Sequence, residues 1–99
     1  MDDKLGKVLI VDDDIHINEL IDMYLQSGGY STKKCFNGND ACNIVTTEDI
    51  GLVILDVMLP GKDGIDVLKH IRKNSDIPVI MLTALTLANN SFGSNGFTI

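Results

Sequence analysis

Three short apolar runs punctuate the chain: Val8-Leu9-Ile10-Val11, Leu52-Val53-Ile54-Leu55 and Val79-Ile80-Met81-Leu82. Each stops at a polar residue, respectively Asp12, Asp56 and Thr83. Uninterrupted apolar runs of this length, rich in β-branched residues, read as strands buried on both faces. Residues 30–35 form a fourth and more polar run around Thr32, which suits a strand near the sheet edge. Between these runs the period becomes helical. Ile17, Leu20, Ile21, Tyr24 and Leu25 give one apolar helix face, with Asp14 as N-cap, an end near residue 26 and a stop at Gly28-Gly29. Asn37-Gly38 opens a second helix carrying Ala41, Cys42, Ile44 and Val45, ending near residue 47. Residues 61–64 read as loop, and Ile65, Leu68 and Ile71 mark a third helix ending near residue 74. Pro78 falls where the last strand begins, a position at which its missing N–H costs least.

The resulting order, β-α-β-α-β-α-β, predicts an α/β domain with a parallel sheet covered by helices on both faces. The pattern holds through residue 85. Residues 86–96 are rich in Asn, Ser and Gly and support at most a short, poor helix. Residues 96–99 read as a partial fifth strand. The expectation is thus one domain core over 1–85 with a divergent segment over 86–99.

The bulk properties narrow the function. The chain has 99 residues, 44% of them apolar, and a formal charge of −6. An acidic surface argues against nucleic-acid binding by this chain, since phosphate contacts need clustered Lys and Arg. Lys69, Arg72 and Lys73 do cluster, but cations in the last turn of a helix are ordinary helix chemistry. No apolar run is long enough to cross a membrane. The start, Met1-Asp2-Asp3-Lys4, lacks the layout of a signal peptide, so a cytoplasmic location is expected. Cys35 and Cys42 make no metal or redox pattern and read as reduced, packed side chains. His16 and His70 fall at helical positions without partner spacing and read as surface residues.

The candidate chemistry lies at the strand ends. Asp12, Asp13 and Asp56 each end a buried parallel strand, and Thr83 ends another, so all four should converge on the edge where open α/β sheets bind ligands. Three crowded carboxylates repel one another unless a cation sits among them. An oxygen-only donor set with open positions suits Mg²⁺, and the backbone carbonyl of Met58 can complete the protein's share. A carboxylate beside such a metal, with a hydroxyl nearby, can accept a phosphoryl group. A phosphohydrolase of the aspartate-nucleophile type would want a second acid two residues after Asp56, where Met58 stands. A flavin site would want a glycine- and hydroxyl-rich phosphate loop after the first strand, where Asp12-Asp13-Asp14 stands.

These motifs, with Pro60-Gly61-Lys62-Asp63-Gly64 after the central strand and Ile77-Pro78 before the last, resemble the receiver domain of bacterial two-component response regulators. The resemblance runs from the N-terminus to about residue 85. It implies a flavodoxin-like, doubly wound parallel sheet of order 2-1-3-4-(5), with the fourth helix altered and the fifth missing. It implies that Asp56 is the phosphorylated residue, that Asp12, Asp13, Asp56 and the Met58 carbonyl hold Mg²⁺, and that Thr83 is the switch hydroxyl. The implied donor is a phosphohistidine on a sensor histidine kinase, docked around the first helix. The chain would be a signalling phosphoacceptor rather than an enzyme.

One departure stands out. Members of the family carry a lysine after the fifth strand, and no Lys or Arg here lies beyond Lys73. The alternative function is therefore an interaction module that keeps the fold without a productive phosphorylation switch. An apolar strand at residues 79–82 lacking a full neighbour also predicts self-association through that sheet edge.

Overall fold

The computed structural model describes residues 6–59 and 63–82. The described elements run β1 (Lys7–Val11), α1 (Ile15–Ser27), β2 (Thr32–Cys35), α2 (Gly38–Thr47), β3 (Ile50–Asp56), α3 (Gly64–Asn74) and β4 (Val79–Leu82). All described strand pairs are parallel, in the order β2-β1-β3-β4. The expected βαβ succession is therefore the observed one, and β2 lies at an edge as its polar sequence predicts. The expectations for residues 83–99, namely the Thr83 hydroxyl, an altered fourth helix and a partial fifth strand, lie outside the described residues.

Each helix begins on a short side chain that captures its free N–H groups. Asp14 Oδ1 accepts from the N–H groups of His16 and Ile17, at 2.9 and 3.2 Å. Asn37 Oδ1 accepts from Asp40 N–H at 2.8 Å, and Asp63 Oδ1 from Ile65 N–H at 2.8 Å. Such caps fix where each helix leaves its strand. Because a parallel crossover must return to the other end of the sheet, all three helices start at the carboxyl edge.

The strands divide their side chains between two unequal faces. Leu9, Val11, Val53 and Leu55 point to one face, where α2 and α3 close over them with Ala41, Cys42, Val67 and Ile71. Cys35 and Cys42 both pack in this core, as expected. Val8 and Ile10 point to the other face, and α1 packs there over β1 and β2. The reading of β3 and β4 as strands buried on both faces needs correction. Leu52 and Ile54 are only half-buried, and Ile80 retains 37% of its exposure. The reason is placement, because α1 packs on β1 and β2 rather than on β3 and β4.

The first helix brings a second correction. Leu20 and Tyr24, expected on its apolar face, are 50% and 71% exposed, while its buried residues are Asn18 and Asp22. Ile17, Ile21 and Leu25 flank that stripe, half-buried. Two polar side chains can lie under the helix because both find partners on the sheet. Asp22 accepts from Thr32 Oγ1 and from Gln26 Nε2, and Lys34 Nζ lies 3.9 Å away. Asn18 donates to backbone carbonyls. Of the two histidines, His16 stands in solvent and His70 is half-buried rather than exposed.

The third helix starts earlier than the sequence suggests, since Gly64 is its first residue rather than loop. Its N–H donates to Val57 O at 2.9 Å, pressing the helix start against the end of β3. A Cβ at this position would meet Asp56 O at 2.5 Å, Val57 Cα at 2.6 Å and Val57 O at 2.8 Å. These are backbone atoms and cannot rotate away. Gly64→Ala is therefore expected to lower unfolding stability by about 1–3 kcal/mol through overpacking. Urea unfolding checks this, and an unchanged midpoint would contradict the close approach.

Candidate functional site

The register of the central strands assembles the site. Val11 pairs with Leu55, so Asp12, the next residue after β1, emerges beside Asp56, the last residue of β3. Asp12 is held at both its main chain and its side chain. Its N–H donates to Cys35 O at 3.1 Å, and its Oδ1 accepts from Asp14 N–H at 2.9 Å. Asp56 Oδ1 accepts from Met58 N–H at 3.1 Å, while Val57 N–H donates to Leu82 O at 3.0 Å. Asp12 is buried, Asp56 half-buried and Asp13 exposed, so the cluster opens outward from its floor.

The three predicted carboxylates do come together. Asp12, Asp13 and Asp56 each offer an oxygen within 4.8 Å of the others. Met58 sits next to them through its bond to Asp56. Thr83 lies outside the described residues. The electrostatics are those of a site that wants positive charge. Burial above all, with the charges of Asp56, Asp13 and Asp14, pushes Asp12 up from 3.8 to about 6, although the Asp14 N–H pulls the other way. Asp56 is raised by burial and by the charge of Asp13, against the hydrogen bond from Met58 N–H. Oxygen donors alone, crowded and partly open to solvent, fit a hard divalent cation.

One residue of the site escaped the sequence reading. Asn18 lies fully buried on α1, behind the Asp12 turn, and its amide donates to Asp12 O and Cys35 O. The available signal was the i, i+4 pair Asn18 and Asp22, flanked by Ile17, Ile21 and Leu25 on what becomes the buried stripe.

Burial of Asp12 predicts a pH dependence of the metal-free protein. A carboxyl raised in the folded state keeps a proton that the unfolded chain releases, so stability falls as pH rises from 3.8 to about 6. Asp12→Asn removes that titration. The variant should exceed the wild type by roughly 1–3 kcal/mol at pH 7.5 and approach it near pH 4, in urea unfolding with chelator present. Asp22 and Glu48, whose lowered values act in the opposite sense, are common to both proteins and cancel in the difference. An advantage that does not change with pH would contradict the burial.

Comparison with known proteins matches residues 8–92 to the response regulator receiver domain. The probable transcriptional regulator ycf27 of Cyanidium caldarium is 51% identical over 78 residues, which are 79% of this chain and 31% of that protein. The chain thus spans about a third of that relative's length. TrrA of Thermotoga maritima, a response regulator solved with Mg²⁺ and BeF, aligns with a TM-score of 0.76 at 33% identity, over 91% of this chain and 82% of that one. A complex of TrrA with the histidine kinase ThkA aligns with a TM-score of 0.75 at 39% identity, over 80% of this chain and 69% of that one. The sheet order agrees with these neighbours and is the flavodoxin-like arrangement the motifs imply. With the motifs, the fold and the acidic edge in agreement, the chain belongs to the response regulator receiver domain family.

Proposed function

We propose that this chain is a phosphoacceptor that takes a phosphoryl group from a sensor histidine kinase onto Asp56. The observation that carries the reading is the convergence of Asp12, Asp13 and Asp56 at the carboxyl edge, their oxygens within 4.8 Å of one another. In the step proposed, an Asp56 carboxylate oxygen attacks the phosphorus of a phosphohistidine. The new O–P bond makes an acyl phosphate as the N–P bond breaks, and the departing imidazole nitrogen keeps the electron pair and takes up a proton. Asp56 is suited to the part because Met58 N–H donates to its Oδ1 while the residue stays half-buried.

Asp12, Asp13, Asp56 and the Met58 carbonyl would hold Mg²⁺, with Asp13 the more direct ligand of the first two, since an Asp12 oxygen already accepts from Asp14 N–H. When bound, Mg²⁺ supplies positive charge against the oxygens of the phosphoryl group in transfer. Thr83 is assigned the hydroxyl that hydrogen-bonds the transferred group. The kinase partner is supported by the TrrA–ThkA complex among the structural neighbours. The ycf27 relative, described as a probable transcriptional regulator, is about three times longer than the matched stretch, so any contact with DNA is assigned to parts outside it. The charge of −6 agrees with that assignment. Among the described residues, no helix is long and apolar enough to cross a membrane, in keeping with a cytoplasmic phosphorelay.

Incubation with Mg²⁺ and acetyl phosphate should add one phosphoryl group by intact mass. The addition should vanish in Asp56→Asn and in the presence of chelator. No addition to the wild type would instead favour an interaction module without phosphorylation, and persistence in Asp56→Asn would put the group on another residue and overturn the role of Asp56. Self-association through β4, which lies at the edge of the four described strands and exposes Ile80, is also proposed. Light scattering at rising concentration should show a mass above the monomer, and a constant monomer mass would exclude it.

A further inference from the structure

The least accessible polar side chain in the described residues is Asn18, with no exposure at all. Its two amide hydrogens face three main-chain carbonyls: Cys35 O at 2.9 Å, Asp12 O at 3.0 Å and Ile10 O at 3.4 Å. Its own Oδ1, equally buried, has no partner among the described residues. An asparagine in this place carries a penalty for that orphaned oxygen, which an apolar side chain of similar size would avoid. The donor half must therefore provide the compensation, and its partners tell what it does.

Those partners converge on one turn. Cys35 O accepts from Asn18 and also from Asp12 N–H. Asp12 O accepts from Asn18, and the Asp12 carboxylate accepts from Asp14 N–H. The Asp12 residue is thus clamped at its N–H, its carbonyl and its side chain. The carbonyl held by Asn18 belongs to the peptide that joins Asp12 to Asp13. The orientation of that peptide sets the direction in which Asp13 leaves the chain. Among the described residues no hydrogen bond holds the Asp13 carboxylate itself, so its aim depends on this main-chain clamp. Groups behind the ligands of a metal commonly control how well those ligands are presented.

We infer that Asn18 is a positioning residue that, through the Asp12–Asp13 peptide, sets the affinity of the acidic cluster for a divalent cation. The inference rests on reading that cluster as a metal site. Asn18 does not touch the ion; it fixes the turn that carries two of the carboxylates.

The test is calorimetric titration of MgCl₂ into the wild type, Asn18→Leu, Asn18→Ser, Gln26→Ala and Asp13→Asn. Asn18→Leu keeps the volume and removes both donors, so Mg²⁺ affinity should fall by about 10–100-fold. Asn18→Ser keeps one donor and should fall between the two, which preserves the test if the leucine variant does not fold. Gln26→Ala removes the bond to Asp22 within α1 and the bond that joins α1 to Thr32 on β2. It should lower the melting temperature while leaving Mg²⁺ affinity unchanged. Wild-type affinity in Asn18→Ser and Asn18→Leu would overturn the positioning role, as would an equal loss in Gln26→Ala, which would mark a purely structural effect. A wild type that binds no Mg²⁺, or an Asp13→Asn variant that binds as well as the wild type, would overturn the metal reading itself and this inference with it.

Discussion

The parallel pairing of β1 with β3, Val11 against Leu55, is the constraint on which the acidic edge depends. Strand side chains alternate between faces, so a slip of one residue would turn either Leu9 and Val11 or Val53 and Leu55 out of the α2–α3 core. The core therefore enforces the register, and the register puts Asp12 beside Asp56. Burial of the carboxylates, and after it their mutual repulsion, works against this arrangement, and both raise Asp12 and Asp56 above the ordinary carboxylate range. The domain tolerates that local cost because the apolar layer behind it is continuous from β1 through β3 to both helices.

Much of this arrangement was legible in the sequence because it is carried by local signals. Apolar runs that end on aspartate mark strands whose last residue lies at the binding edge. The caps Asp14 and Asn37 mark the helices that follow. What remained hidden was tertiary. Periodicity places Leu20 and Tyr24 on an apolar face of α1, yet the helix turns Asn18 and Asp22 inward, because the sheet supplies hydrogen-bond partners that no count of apolar residues reveals. Strand burial was overread for a related reason. An apolar run shows that both faces of β3 and β4 suit cover, whereas α1 lies over β1 and β2.

The candidate site divides in the same way. Its three carboxylates follow from strand ends and could be named from spacing alone. Its support could not, since Asn18 reaches Asp12 and Cys35 across 6 and 17 residues of chain. Secondary-structure pattern reports which residues arrive at an edge; it does not report what steadies them from behind.

The close approach at Gly64 has a consequence for how this domain tolerates change. With the start of α3 resting on the Asp56 and Val57 backbone, the helix and the aspartate share one mechanical seat. Any side chain at position 64 moves both together. Ile65 and Asp66 beside it are exposed, but at residue 64 even one added carbon meets backbone. A substitution there, remote from every carboxylate in chemical character, would be felt as a misaimed Asp56.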